Sequence, residues 1–167
     1  MTRLHGAPDQ LWQGPSAPQR LALLRRSRTV AIVGASDNPS RASFFVATYL
    51  LASSDFEVWF VNPRLNTILG RPVFASLADL PAAPDIVDVF RRPADLPAVL
   101  DEAIAAKAGA FWLQLGLSDD TVARRGEQAG LTVVMNRCLK IEHARFHGGL
   151  HLAGFNTGVI SSRRGAV

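Results

Sequence analysis

Thr29-Val-Ala-Ile-Val33, closed by Gly34 and followed by Ala35-Ser-Asp-Asn-Pro39-Ser40-Arg41, is the stretch on which the fold turns. Five apolar or β-branched residues in a row suit a strand buried on both faces. Gly34 permits a tight turn, and Ala35 and Ser36 keep the backbone approachable. Asp37, Asn38, Pro39 and Ser40 are turn or cap residues, and Ala42 to Leu51 has the apolar face of a helix. Strand, glycine and helix in this order make half of a parallel crossover unit.

The same alternation runs through the chain. Phe56–Val61 is predicted as a strand stopped by Asn62-Pro63, with a loop over 64–70. Arg71–Phe74 reads as a short strand and Ser76–Asp79 as a helical turn. Asp85–Phe90 is a strand, Ala94–Ala108 a helix and Ala110–Leu115 a strand. Ser118 is expected to cap a helix to about Ala129, and Leu131–Met135 is the last core strand. Upstream, Leu21, Leu23 and Leu24 give 19–26 helical spacing. Gly6, Pro8, Gly14, Pro15 and Pro18 mark residues 1–18 as an irregular arm. The expected organisation is therefore an arm (1–18), one domain (19–147) and a tail (148–167). Its fold class is α/β: three layers, with a mainly parallel five- or six-stranded sheet and helices on both faces.

Composition narrows the function. The chain is 48% hydrophobic and 19% charged, as expected of a globular domain. Its longest apolar stretch, Phe44–Ala52, is nine residues, too short to span a bilayer. The first residues, Met1-Thr-Arg-Leu-His-Gly6, lack an apolar signal core, so a cytoplasmic location and no membrane partner are expected. Cys138 is the single cysteine, which excludes an internal disulfide. Among the cations only Lys107 and Lys140 are lysines, and arginine forks suit phosphates. The arginines occur in scattered pairs, without the local basic run of a nucleic-acid surface, so no nucleic-acid partner is expected.

In an open parallel sheet, ligands bind beyond the carboxyl ends of the strands, where strand order reverses. The segments there carry Gly34-Ala-Ser36 with Arg41, then Asn62-Pro-Arg64, Phe90-Arg-Arg92, Gln114-Leu-Gly116 and Asn136-Arg-Cys138. The first helix turn after Gly34 offers free N–H groups to a phosphate. Arg41 opposes the helix dipole there, which suggests that it serves a bound anion. The dinucleotide fingerprint Gly-x-Gly-x-x-Gly is absent, and Asn62 stands where an acidic residue would take a ribose diol, which disfavours NAD. Arg64 suits either a 2′- or a 3′-phosphate, so an NADP-binding, oxidoreductase-like domain stays open. An interaction protein with a vestigial pocket is the third reading.

Taken together, Gly34-Ala-Ser-Asp-Asn-Pro39, Val61-Asn-Pro63, Asp88-Val-Phe-Arg91, Trp112-Leu-Gln-Leu-Gly116 and Asn136-Arg-Cys138 with Ile141-Glu142 resemble the small CoA-binding proteins. These are similar to the CoA-binding N-terminal domain of the succinyl-CoA synthetase α subunit. The resemblance spans about residues 27–145. It implies a Rossmann-like, CoA-binding fold. The resulting expectation is non-catalytic binding of coenzyme A or a short acyl-CoA at the carboxyl edge of the sheet, as a sensor or accessory protein. It places Gly34, Ala35, Ser36 and Arg41 at the pyrophosphate, and Asn62, Pro63 and Arg64 near the adenosine and its 3′-phosphate. Phe90, Arg91 and Arg92 are implied on the adenine side, Gln114 and Gly116 along the pantetheine path, and Asn136 beyond. Arg41-Ala-Ser43 departs from the family, where a basic residue is soon followed by glycine.

No catalytic constellation is evident, so no enzyme activity is expected. His143 and His147 share one helix face but lack a third metal ligand. Cys138 lies where a pantetheine thiol would arrive, so one reading is a mixed disulfide with CoA formed under oxidation, beside the plainer reading of a buried thiol. Rossmann-type domains often pair through helices, so a homodimer is the expected assembly if there is one.

Overall fold

The computed structural model describes residues 11–147. The expected tail, the first ten residues of the arm and the side chain of His147 lie outside the described residues. Seven strands and five helices follow in order: α1 (Ala17–Arg26), β1 (Thr29–Val33), α2 (Ala42–Ser53), β2 (Glu57–Val61), β3 (Thr67–Ile68), β4 (Arg71–Phe74), β5 (Ile86–Val89), α3 (Leu96–Ala105), β6 (Ala110–Leu113), α4 (Asp120–Gln128), β7 (Thr132–Val134) and α5 (Leu139–His147). The sheet order is β3-β4-β2-β1-β5-β6-β7. All neighbours pair in parallel except β3 and β4.

The chain is a three-layer, Rossmann-like α/β fold. β1 lies at the centre because its residues are apolar on both sides. Val30 and Ile32 pack into the layer containing α1, α2 and α5, while Ala31 and Val33 pack into the layer containing α3 and α4. The partner strands alternate likewise, with Phe111 and Leu113 on one face and Trp112 on the other, all fully buried. Fully burying such a side chain contributes about 1.5–3 kcal/mol, so these strands supply much of the driving force. From β1 the chain moves to β2 on one side and returns to β5 on the other. That reversal opens a crevice between the carboxyl ends of β1 and β5.

Several boundaries differ from expectation. The sheet has seven strands because Thr67–Ile68, in the stretch expected to be loop, pairs with Pro72 and Arg71. α1 begins at Ala17, inside the expected arm, because Ser16 and Gln19 form a reciprocal capping box and Pro18 sits in the first turn. The helix expected from Ala94 begins at Leu96 after a short 3-10 turn over Pro93–Asp95. Pro97 is tolerated there because the first turn needs no N–H donor. Asp119 caps α4 in place of Ser118, its carboxylate accepting from the Val122 N–H at 3.0 Å. Residues 11–15 carry no regular structure, yet Trp12 packs against the α3–α4 layer and its indole donates to Glu127 at 2.9 Å.

α1 and α5 are joined by a buried ion pair. Arg20 Nε donates to Glu142 at 3.0 Å, with both side chains nearly inaccessible, and Arg137 reaches the other carboxylate oxygen at 3.3 Å. No helix among the described residues is long and apolar enough to cross a membrane.

Candidate functional site

A cavity of about 590 Å³ opens at the carboxyl edge where the strand order reverses. Its walls come from the β1–α2 loop, the start of α2, the ends of β2, β5 and β6, and the start of α5. Of the expected site residues, Gly34, Ala35, Ser36, Arg41, Asn62, Phe90 and Gln114 line it together.

Gly34 adopts φ +80°, and an ideal Cβ on it would lie 2.2 Å from the Phe90 carbonyl oxygen. Only glycine allows the β1 and β5 ends to approach so closely. The loop beyond it is tied down by short-range bonds. The Gly34 N–H donates to the Val61 carbonyl at 3.1 Å. The Asn38 N–H donates to Ser36 Oγ, and Asn38 Oδ1 accepts from the Ser40 N–H and hydroxyl. Ser40 is thereby drawn into the loop, and Arg41 becomes the N-cap of α2 without any side-chain capping bond. No acidic residue stands in that first turn. The helix therefore presents uncapped N–H groups to the cavity, with an exposed guanidinium beside them. Arg41 makes no ion pair among the described residues. Free amide donors, a positive dipole end and an unpaired arginine are a donor set that suits a diphosphate.

Asn62 works mainly as a brace. Its Nδ2 donates to the Ala35 carbonyl at 2.8 Å and its Oδ1 accepts from the Arg64 N–H at 2.8 Å. Pro63 and Arg64 are exposed just beyond this turn and off the cavity wall. Arg91 and Arg92 are also off the wall, because both guanidiniums converge on Asp95 at 3.2 and 3.3 Å. The hydrogen bond from Arg92, with help from Arg91, holds the Asp95 carboxyl below its ordinary range. Gly116 and Asn136 stand outside the wall as well. The Gly116 N–H donates to Asn136 Oδ1 at 2.7 Å, and Asn136 adopts φ +56°, a conformation asparagine tolerates.

Gln114 is buried and held from two sides. Its Nε2 donates to Asp88 at 3.3 Å, and its Oε1 accepts from the Leu139 N–H at the head of α5 at 3.3 Å. Asp88 is fully buried in the middle of β5, and its Oδ1 has no hydrogen-bond partner among the described residues. Burial pushes its carboxyl well above the usual range, and the Gln114 hydrogen bond only partly opposes this. A proton on Asp88 spares the core an uncompensated charge.

The cavity wall also includes Ala42, Ser43, Val46, Leu115, Leu117, Cys138 and Ile141, which the expected site did not contain. Ser43 and Val46 follow from helical spacing after Arg41. Leu115, Leu117 and Ile141 carry no polar signal, and in the sequence they look like ordinary core residues. Cys138, singled out for its place after the last strand, is partly buried on this wall.

Residues 28–144 match the CoA binding domain family. The chain belongs to that family. The uncharacterized protein YneT of Bacillus subtilis (strain 168) is 36% identical over 132 residues, which cover 79% of this chain and 97% of YneT. A solved structure from Thermus thermophilus is 36% identical with a TM-score of 0.74, covering 79% of this chain and 99% of that one. At fold level the domain is also similar to part of a dinucleotide-forming acetyl-coenzyme A synthetase from Ca. Korarchaeum cryptofilum. That likeness has a TM-score of 0.60 at 20% identity, over 68% of this chain and 27% of the synthetase. The family assignment agrees with the resemblance drawn from the strand-end motifs.

Proposed function

We propose that this CoA-binding domain holds coenzyme A or a short acyl-CoA at the carboxyl edge of its sheet, as a sensor or accessory protein without catalysis. The observation that carries the reading is the uncapped head of α2, with Arg41 unpaired beside it, facing the cavity at the point of strand reversal. Coenzyme A supplies a thiol that carries acyl groups as thioesters. Ser36 and the first amides of α2 bind its diphosphate, over the turn that Gly34 and Ala35 keep open, and Arg41 adds a compensating charge. Arg64, exposed beside the turn braced by Asn62, binds the 3′-phosphate. Gln114, fixed by Asp88 and Leu139, borders the pantetheine arm.

Isothermal calorimetry and thermal shift with CoA, dephospho-CoA, NAD and NADP test this reading. CoA at a hundred times its dissociation constant should stabilise the fold by about 2.7 kcal/mol. Arg64→Ala should weaken CoA by about 1–3 kcal/mol and leave dephospho-CoA nearly unchanged. Absence of heat with CoA at millimolar concentration, or a response to NADP alone, would overturn the proposal.

A further inference from the structure

Five large apolar side chains are markedly exposed among the described residues, and two of them, Leu115 at 67% and Ile141 at 54%, line the same cavity. They reach it from distant parts of the sequence, Leu115 from the end of β6 and Ile141 from α5. Leu117 and Val46 join them on the wall. β6 lies two strands from β1 in the sheet, roughly 10 Å from the loop that Gly34 opens. Among the described residues, Arg41 is the one formally charged side chain on the lining. The wall formed by Leu115, Leu117 and Ile141 contributes neither a cation nor a carboxylate.

Exposed leucine and isoleucine at a cavity mouth keep apolar surface in water that a ligand can cover. A carboxylate packed against these three apolar side chains would lose hydration without gaining a partner from any of them. We infer that the site selects thioesters of uncharged, apolar acyl groups over free CoA and over acyl groups ending in a carboxylate. The acyl chain packs against Leu115, Leu117 and Ile141. This inference rests on the CoA reading above and specifies the ligand class of that site.

Calorimetry of the full chain with CoA, acetyl-CoA, butyryl-CoA, hexanoyl-CoA and succinyl-CoA tests it. Affinity should rise along the straight-chain series, by up to about fourfold for each methylene covered. Butyryl-CoA should bind at least about tenfold tighter than succinyl-CoA, which has the same number of acyl carbons but ends in a charge. Leu115→Ser and Ile141→Ser, both at exposed positions that leave the core intact, should reduce the ratio of butyryl-CoA to CoA affinity within each variant. A flat series with measurable CoA binding, or succinyl-CoA binding as tightly as butyryl-CoA, overturns the inference and leaves the CoA reading standing. Failure of every thioester and of CoA itself overturns the CoA reading.

Discussion

The β1–α2 and β6–α4 connections are built alike and finished differently. Each strand ends near a glycine with positive φ, Gly34 at +80° and Gly116 at +91°, and each leads into a helix. α4 closes on itself: Asp119 caps it, Asp120 stands in its first turn, and Asn136 holds the Gly116 N–H. α2 has an arginine at its cap position, no acidic residue in its first turn and no side-chain capping bond. The same strand-to-helix unit is complete in one place and left open in the other. A helix start that forgoes capping gives up about 1 kcal/mol of stability, and here it faces the cavity with its donors free.

The strongest way to break this contrast is to add a methyl group at each glycine. Gly34→Ala should cost about 3 kcal/mol or more, because the new Cβ meets the Phe90 carbonyl and the backbone is already left-handed. Gly116→Ala has open space around it and should cost only about 1 kcal/mol. Urea denaturation measures both, and equal losses would show that the close approach at Gly34 carries no special weight. Next in size, Arg41→Ala should weaken CoA by about 1–3 kcal/mol in calorimetry, with a change in folding stability within about 0.5 kcal/mol. A stability loss without a binding loss would make Arg41 an ordinary surface residue.

Asp88 sharpens the contrast from the side of Gln114. Its folded-state carboxyl titrates above the unfolded value, so the native state keeps a proton that the unfolded chain releases. Stability from this group is therefore complete below the ordinary carboxylate range and declines as pH rises through the raised value, by about 1.4 kcal/mol for each unit of displacement. Asp88→Asn lacks this slope. The stability of the native sequence minus that of Asp88→Asn should fall from pH 4 upward in a denaturation series, and a flat difference would refute a protonated Asp88. The smallest effect is expected at the closed helix: Asp119→Ala should cost about 1 kcal/mol of stability and leave CoA affinity unchanged.

Much of the fold is legible in the sequence because its strands are buried on both faces and read as unbroken apolar runs. Thr29–Val33 and Ala110–Leu113 are plain for that reason. β3 was not legible, since two residues become a strand only through a tertiary partner at Arg71–Pro72. The start of α1 was obscured because Pro18 reads equally as a breaker and as a first-turn residue, and only the Ser16–Gln19 box decides between them. At the site, the glycine loop and Arg41 follow from turn chemistry and helix electrostatics. Pairing of Arg91 and Arg92 with Asp95 was hidden, because a 3-10 turn rather than regular helix sets that contact. Leu115 and Ile141 were hidden because an apolar residue past a strand end or on a helix looks the same whether it faces core or cavity.

The buried Arg20–Glu142 pair has a consequence for dissection of the domain. The family match begins at residue 28, after α1, yet α1 supplies the guanidinium that neutralises a carboxylate deep in α5. A fragment trimmed to the matched span would lose Arg20 with the rest of α1 and leave Glu142 with Arg137 as its ion-pair partner. α1 thus helps to hold α5, one wall of the cavity, although it lies upstream of the matched span.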